Sequence, residues 1–303
     1  MQNTSNLLMI RPVNFGFNAE TATNNAFQIN EPSDDVQKKA LLEFDNFVKK
    51  LSANKVDVTV VEDTPVPYTP DSIFPNNWIS FHNDKICLYP MYAPNRRLER
   101  KDTILDVLKR KFIINKTIDL AHYEKENIFL EGTGSMVLDR KNKLAYACLS
   151  ERTNTKVLDD FCKNFDYSPV VFNSYDLKGL PIYHTNVVMN VGEQFVIICL
   201  DTVKNNTERE MLKAKFEQTG KQLIEISYDQ MNNFAGNMLQ VKNIDDKQFL
   251  VMSQSAFNSL NKEQLETINS YNDIIYTDLS TIEKNGGGSA RCMLAEIFLP
   301  SNK

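Results

Sequence analysis

The chain has 303 residues, 42% of them apolar, with 10 Gly and 11 Pro, a balance that suits a soluble globular protein with a full core. A formal charge of −5 and the lack of a Lys/Arg run argue against a nucleic-acid partner. No stretch approaches the roughly 20 apolar residues of a membrane span, and the N-terminus lacks a signal-peptide pattern.

The five cysteines (87, 148, 162, 199 and 292) are odd in number and mostly sit inside apolar runs, which points to reduced thiols in a cytoplasm. There is no Cys-x-x-Cys, His-Glu-x-x-His or phosphate-loop pattern, so neither a metal nor a cofactor is expected.

In chain order, Asn6 to Arg11 reads as a strand without a hairpin partner. A helix is expected from about Asp34 to Leu51, where Val36, Ala40, Leu41, Phe44, Phe47, Val48 and Leu51 form one stripe and Ser33 is the expected N-cap. Val56, Val58 and Val60 then alternate as a strand. Phe74 to Pro90 reads as a hairpin turning at His82–Lys85, and helix follows near 98–112. Glu131 to Leu149, Thr185 to Leu200 and Phe234 to Ser253 read as three more hairpins. Their turns are expected at Arg140–Lys143, Val191–Glu193 and Asp245–Asp246, and helices follow near 153–164, 206–219 and 261–271. The mixed-charge run Arg96-Arg97-Leu98-Glu99-Arg100-Lys101 reads as helix surface.

This order is a repeat. A polar residue opens a short apolar strand at Asn77, Ser135, Asn186, Asn237 and Cys292, at intervals of 58, 51, 51 and 55 residues. The unit is β-β-α-β, and the strand after Cys292 lacks a partner, as does the one at Asn6. Their pairing would close five units into a ring and remove exposed strand edges. One domain over residues 1–303 follows, with the five polar positions facing a shared axis.

Of three histidines, His82 falls in an expected hairpin turn and is expected in solvent, and His122 precedes a charged stretch, so neither is expected to carry a role. His184 lies two residues before the third axial position. Cys292 follows Gly286-Gly287-Gly288-Ser289-Ala290-Arg291, and glycines let a backbone turn tightly beside a ligand. A cysteine offered from such a loop near a histidine suits a thiolate nucleophile. Glu131, before Gly132-Thr133-Gly134, stands where a carboxylate can orient His184.

The segments Glu131-Gly-Thr-Gly, His184-Thr-Asn186 and Gly-Gly-Gly-Ser-Ala-Arg-Cys292 resemble the pentein superfamily of guanidino-group-modifying enzymes, over nearly the whole chain. The resemblance implies a five-fold pseudosymmetric α/β propeller, with Cys292, His184 and Glu131 as the catalytic set. It further implies that Arg96 and Arg152 grip a substrate α-carboxylate and that Asp71 touches the amino-acid end.

The chain departs from the family where arginine-processing members carry two aspartates around the guanidinium; here these are Asn77 and Asn186. A guanidinium would lose two charge-assisted bonds, each worth roughly 1.5–3 kcal/mol. A ureido group is neutral and pairs a carbonyl with an NH₂, which amides can serve by donating and accepting. The nearest resemblance is therefore to citrulline ureidases, which hydrolyse citrulline to ornithine, ammonia and carbon dioxide. The alternatives are an arginine deiminase or related guanidine hydrolase, and a non-catalytic binding protein on the same fold.

Asn237 could line the pocket. The Asn-rich stretch over residues 13–30 has the length of a lid. A homo-oligomer is left open.

Overall fold

The structure, a computed structural model, describes residues 1–25, 27–29 and 35–302, so the expected cap at Ser33 lies outside the described residues. Among the described residues, fifteen short strands are built in chain order, in five repeats. The first strands are β1 (Asn6–Arg11) and β2 (Asp57–Glu62). Next come β3 (Ile79–His82), β4 (Lys85–Leu88) and β5 (Lys116–Asp119), then β6 (Val137–Asp139), β7 (Leu144–Cys148) and β8 (Ser168–Phe172). The series ends with β9 (Met189–Val191), β10 (Phe195–Ile198), β11 (Gln222–Glu225), β12 (Leu239–Lys242), β13 (Gln248–Ser253), β14 (Asp273–Thr277) and β15 (Ala295–Ile297).

They form five separate three-stranded sheets, none closed on itself. Each has one antiparallel pair and one parallel neighbour. The terminal strands pair as expected: β1 runs antiparallel to β15, with Leu8 opposite Ala295, and parallel to β2.

Each parallel neighbour is reached through a crossover helix, as parallel pairing requires. The helices are Val36–Ala53, Asp102–Lys111, Thr155–Phe165, Asn206–Gln218 and Lys262–Asn269, all within a few residues of expectation. In the first, Ala40, Phe44, Phe47 and Leu51 are buried on one face. Each large side chain of that stripe contributes about 1.5–3 kcal/mol by leaving water. Among the described residues no helix is long and apolar enough to cross a membrane.

One expectation needs correction. The axial residues do not open the strands. Asn77, Ser135, Asn186 and Cys292 sit in one-turn helical stubs (Pro75–Asn77, Gly132–Ser135, Thr185–Val188 and Ala290–Met293), and the strands start two or three residues later. Asn237 occupies a bend in the same place. The reason is crowding, because the stubs pack backbone on backbone. A Cβ at Gly132 would stand 2.3 Å from Asn76 O, and its φ of +47° also favours glycine. The Gly132–Ser135 stub touches those at Pro75–Asn77 and Thr185–Val188, and the first stub also meets Ala290–Met293. Asn237 bridges the gap between the third and fifth, donating to Asn186 O and accepting from Arg291 N.

His82 is a second correction. Strand β3 runs on to pair His82 with Lys85, leaving the turn to Asn83 and Asp84. The ring is buried against Phe161, Phe165 and Tyr167, and Ser80 Oγ is 2.7 Å from its Nε2. Burial, with Arg140 nearby, holds it well below its usual pKa, so it is neutral. His122 is exposed.

Candidate active site

Cys292 is buried at 4% exposure, in a turn reached through the glycine loop. The loop is anchored from behind. Glu43 accepts from Thr281 N at 2.8 Å and Ile282 N at 3.0 Å, fixing the start of the helix Ser280–Gly286. Glu283 accepts from Ser289 Oγ at 2.6 Å, and Cys292 N donates to Ser289 O at 3.0 Å. The sulfur faces amides: Asn186 Nδ2 at 3.5 Å and Asn237 Nδ2 at 3.2 Å.

Glu131 is fully buried. It accepts from Tyr92 N at 2.9 Å and lies 2.8 Å from His184 Nε2. Burial alone would raise its pKa, but Arg152, the His184 hydrogen bond and Arg96 outweigh it and hold the carboxyl below the usual range. An ionised carboxylate can only accept, so Nε2 carries the imidazole proton and Nδ1 keeps its lone pair. Burial lowers the His184 pKa to about 4 despite Glu131, leaving a neutral ring. Gly134 makes room here: a Cβ would fall 2.3 Å from Asn77 Nδ2 and 2.8 Å from His184 Nδ1.

Arg96 does not offer the free fork expected of a carboxylate grip. It is 2% exposed; Nε and Nη2 clasp the Glu99 carboxylate at 2.8 and 3.0 Å, and Nη2 also donates to Asp71 O and Phe74 O. Nη1 donates to Asn77 Oδ1 at 2.7 Å. Glu99 is 1% exposed, which corrects the reading of this run as helix surface: the opposite charges three residues apart satisfy each other inside the protein. Burial pushes Glu99 up to about 7 even so.

Arg152, also 2% exposed, reaches Glu131 at 3.4 Å, and its remaining donors go to the Asn-rich segment, at Thr21 O and Asn24 Oδ1. Asp71 accepts from Asn18 Nδ2 at 2.7 Å and Thr21 Oγ1 at 3.1 Å, while Oδ1 has no partner. The segment thus occupies two of the three groups expected to hold an amino-acid end, Arg152 and Asp71. The space left between Thr21, Asn77, Arg152, His184 and Cys292 is about 20 Å³, room for one water.

A cleft of about 630 Å³ between Phe27, Tyr228, Phe234 and Glu283 is lined by none of Cys292, His184, Asn77 or Asn186. Volume alone would misplace the chemistry.

Of the residues named from sequence, Cys292 and Asn186 are in direct contact, as are His184 with Glu131, Glu131 with Arg152, and Asn77 with Arg96. Sequence reasoning missed Glu43, Glu99, Glu283 and Tyr183, whose hydroxyl donates to Gly287 O at 2.8 Å. It also missed the pairing of Asn24 with Arg152, for which loop length was the only signal.

The α/β fold matches that of solved pentein-type structures. ArgZ, an arginine dihydrolase from the ornithine–ammonia cycle in cyanobacteria, superposes in its apo form with a TM-score of 0.76 at 16% identity, covering 97% of this chain and 41% of ArgZ. The chain therefore spans less than half of that ArgZ chain. It covers 98% of the ArgZ N-terminal domain, solved as a mutant bound to substrate, at the same TM-score and identity. DDAH from Pseudomonas aeruginosa, a mutant complexed with citrulline, matches with a TM-score of 0.68 at 15% identity, covering 98% of this chain and all of that one. Among curated proteins no match is found. A family profile described as N,N dimethylarginine dimethylhydrolase, eukaryotic, matches residues 11–299, and the chain belongs to that family of guanidino carbon–nitrogen hydrolases.

Proposed function

We propose that the chain is a citrulline ureidase, hydrolysing citrulline to ornithine, ammonia and carbon dioxide without a cofactor. The observation that carries this reading is the polarity of its two amides. Arg96 holds Asn77 Oδ1, so Asn77 Nδ2 is left without a partner; Asn186 turns Nδ2 to the sulfur, and its Oδ1 is left without one. One unmet donor and one unmet acceptor complement a ureido C=O and NH₂. A buried polar group without a partner is costly, and a bound ligand relieves that cost.

In this reading Cys292 Sγ bonds to the ureido carbon while His184 takes its proton at Nδ1. That proton passes to the departing nitrogen as the carbon–nitrogen bond breaks. His184 then takes a proton from water as it attacks the Cys-bound thiocarbamate; the carbon–sulfur bond breaks, the proton returns from His184 to the departing sulfur, and the freed carbamate loses carbon dioxide. Glu131 holds the ring throughout. Arg152 receives the substrate carboxylate once Asn24 and Thr21 leave it. Arg96 acts mainly through Asn77, and Asp71 takes the α-ammonium. Residues 18–25 serve as a strap that opens for substrate.

The family profile favours a second reading, a methylated or free guanidine as substrate. Against it stands the neutral clasp, which offers a guanidinium two amides in place of two carboxylates.

We further read residues 1–303 as one cytoplasmic domain, its five units arranged as a five-fold pseudosymmetric α/β propeller. The touching stubs and the β1–β15 pairing support this.

The test is acid-quenched mass spectrometry of the Cys292 peptide during turnover of citrulline. It should carry an adduct of citrulline less ammonia or a bare carbamoyl group, absent from Cys292→Ser. An unmodified peptide under active turnover would remove Cys292 from the reaction.

A further inference from the structure

We propose that Asn237 is a catalytic residue that partners the Cys292 sulfur in both of its protonation states. The proposal rests on the reading of Cys292 as the reactive group and deepens it.

Asn237 is 1% exposed and tied at both ends of its amide. Its Oδ1 accepts from Arg291 N at 3.1 Å, and its Nδ2 donates to Asn186 O at 3.0 Å. Those anchors set the orientation, because a flipped amide would place NH₂ against N–H and C=O against C=O. The second hydrogen of Nδ2 is then available to the sulfur, 3.2 Å away, and Oδ1 lies 3.5 Å from it. A thiol can donate to Oδ1. A thiolate can accept from Nδ2, and the proton it sheds goes to the free Nδ1 of His184.

Among the described residues, no cationic side chain is hydrogen-bonded to the sulfur. His184 is neutral, and the Arg291 guanidinium bonds Leu294 O at 2.7 Å and Glu296 Oε2 at 2.9 Å. Among the described residues, the hydrogen-bonding partners of the sulfur are the amides of Asn186 and Asn237. A thiolate in a buried site needs donors aimed at it, and these two amides supply them. Asn237 is the nearer of the two and the better anchored. The titratable and charged groups that share the cavity with the sulfur or act on it electrostatically (Asp71, Arg96, Arg152, Tyr183, His184 and Arg291) keep their identities in the variants that test this.

Asn237→Asp keeps the acceptor for Arg291 N and removes the donor; Asn237→Ala removes both. The readout is iodoacetamide alkylation of the Cys292 peptide against pH, followed by mass spectrometry without substrate. Both variants should shift the profile to higher pH by about one unit or more. Citrulline turnover should lose at least about tenfold in kcat, with KM little changed. Folded variants whose alkylation profile overlays wild type would overturn the proposal, because a purely structural Asn237 would lower the rate without moving the midpoint. In wild-type protein the Asn237 side-chain N–H resonance should titrate with the alkylation midpoint. A resonance indifferent to that midpoint would overturn the proposal even if neither variant folds. A shifted profile in a protein that ignores citrulline would leave Asn237 in place and remove only the substrate.

Discussion

Arg96 Nη1 donates to Asn77 Oδ1 at 2.7 Å, and this one bond determines which end of the Asn77 amide faces the reaction space. Because Arg96 is itself clamped by Glu99, it cannot rotate to let the amide flip. Asn77 Nδ2 is left as an unmet donor.

Replacing Asn77 and Asn186 together by Asp turns the Asn77 donor into an acceptor and takes from Asn186 the N–H that faces the sulfur. Each lost or reversed bond should cost roughly 1–3 kcal/mol, so citrulline kcat/KM should fall at least about 30-fold for the pair. Arginine binding should suffer less. Steady-state kinetics on both substrates decide the matter, and unimpaired citrulline turnover would mean that the amides do not clasp the ureido group.

Gly134→Ala tests how tightly the clasp and the base are packed. The added methyl would collide with Asn77 Nδ2 and the His184 ring. Turnover should drop about 100-fold or more, since small displacements of reacting groups are costly. The melting temperature should move by only a few degrees. Near wild-type activity would show that His184 and Asn77 can shift without consequence.

Asn24→Ala removes the neutral oxygen that occupies Arg152. If this side chain competes with the substrate carboxylate, KM should fall several-fold while kcat holds. A rise in KM would instead make Asn24 part of the substrate site.

The acid limb of kcat/KM should lie near pH 4, below the usual histidine range near 6.5. The sign follows from the depressed pKa of His184, about 4 in the fold. The neutral base is available above that value and is lost as pH falls through it. The stability from keeping this ring neutral is complete above about 6.5 and lost progressively between about 6.5 and 4. A limb near 6.5 would show that His184 is not held neutral in the free protein.

Much of the architecture was readable because β-strand and helix periods follow from backbone geometry. The stripe from Val36 to Leu51, the four hairpins and the unpaired strands at Asn6 and after Cys292 required no knowledge of neighbours. Cys292, His184 and Glu131 stood out because the repeat marks equivalent positions. What stayed hidden depends on contacts distant in sequence. Glu99 beside Arg96 carries the pattern of a wet helix face, and only the fold shows both charges sealed in. His82 looked like a turn residue because its aromatic cover comes from Phe161, Phe165 and Tyr167, some 80 residues later. The grip of Asn24 on Arg152 spans 128 positions and leaves no local trace.

The most direct measurement offers the purified protein citrulline and arginine in parallel and quantifies ornithine, ammonia and citrulline over time. The account predicts ornithine and ammonia from citrulline, with arginine turned over at least about 100-fold more slowly, as two missing charge-assisted bonds require. Rapid formation of citrulline from arginine, with no ornithine from citrulline, would contradict it.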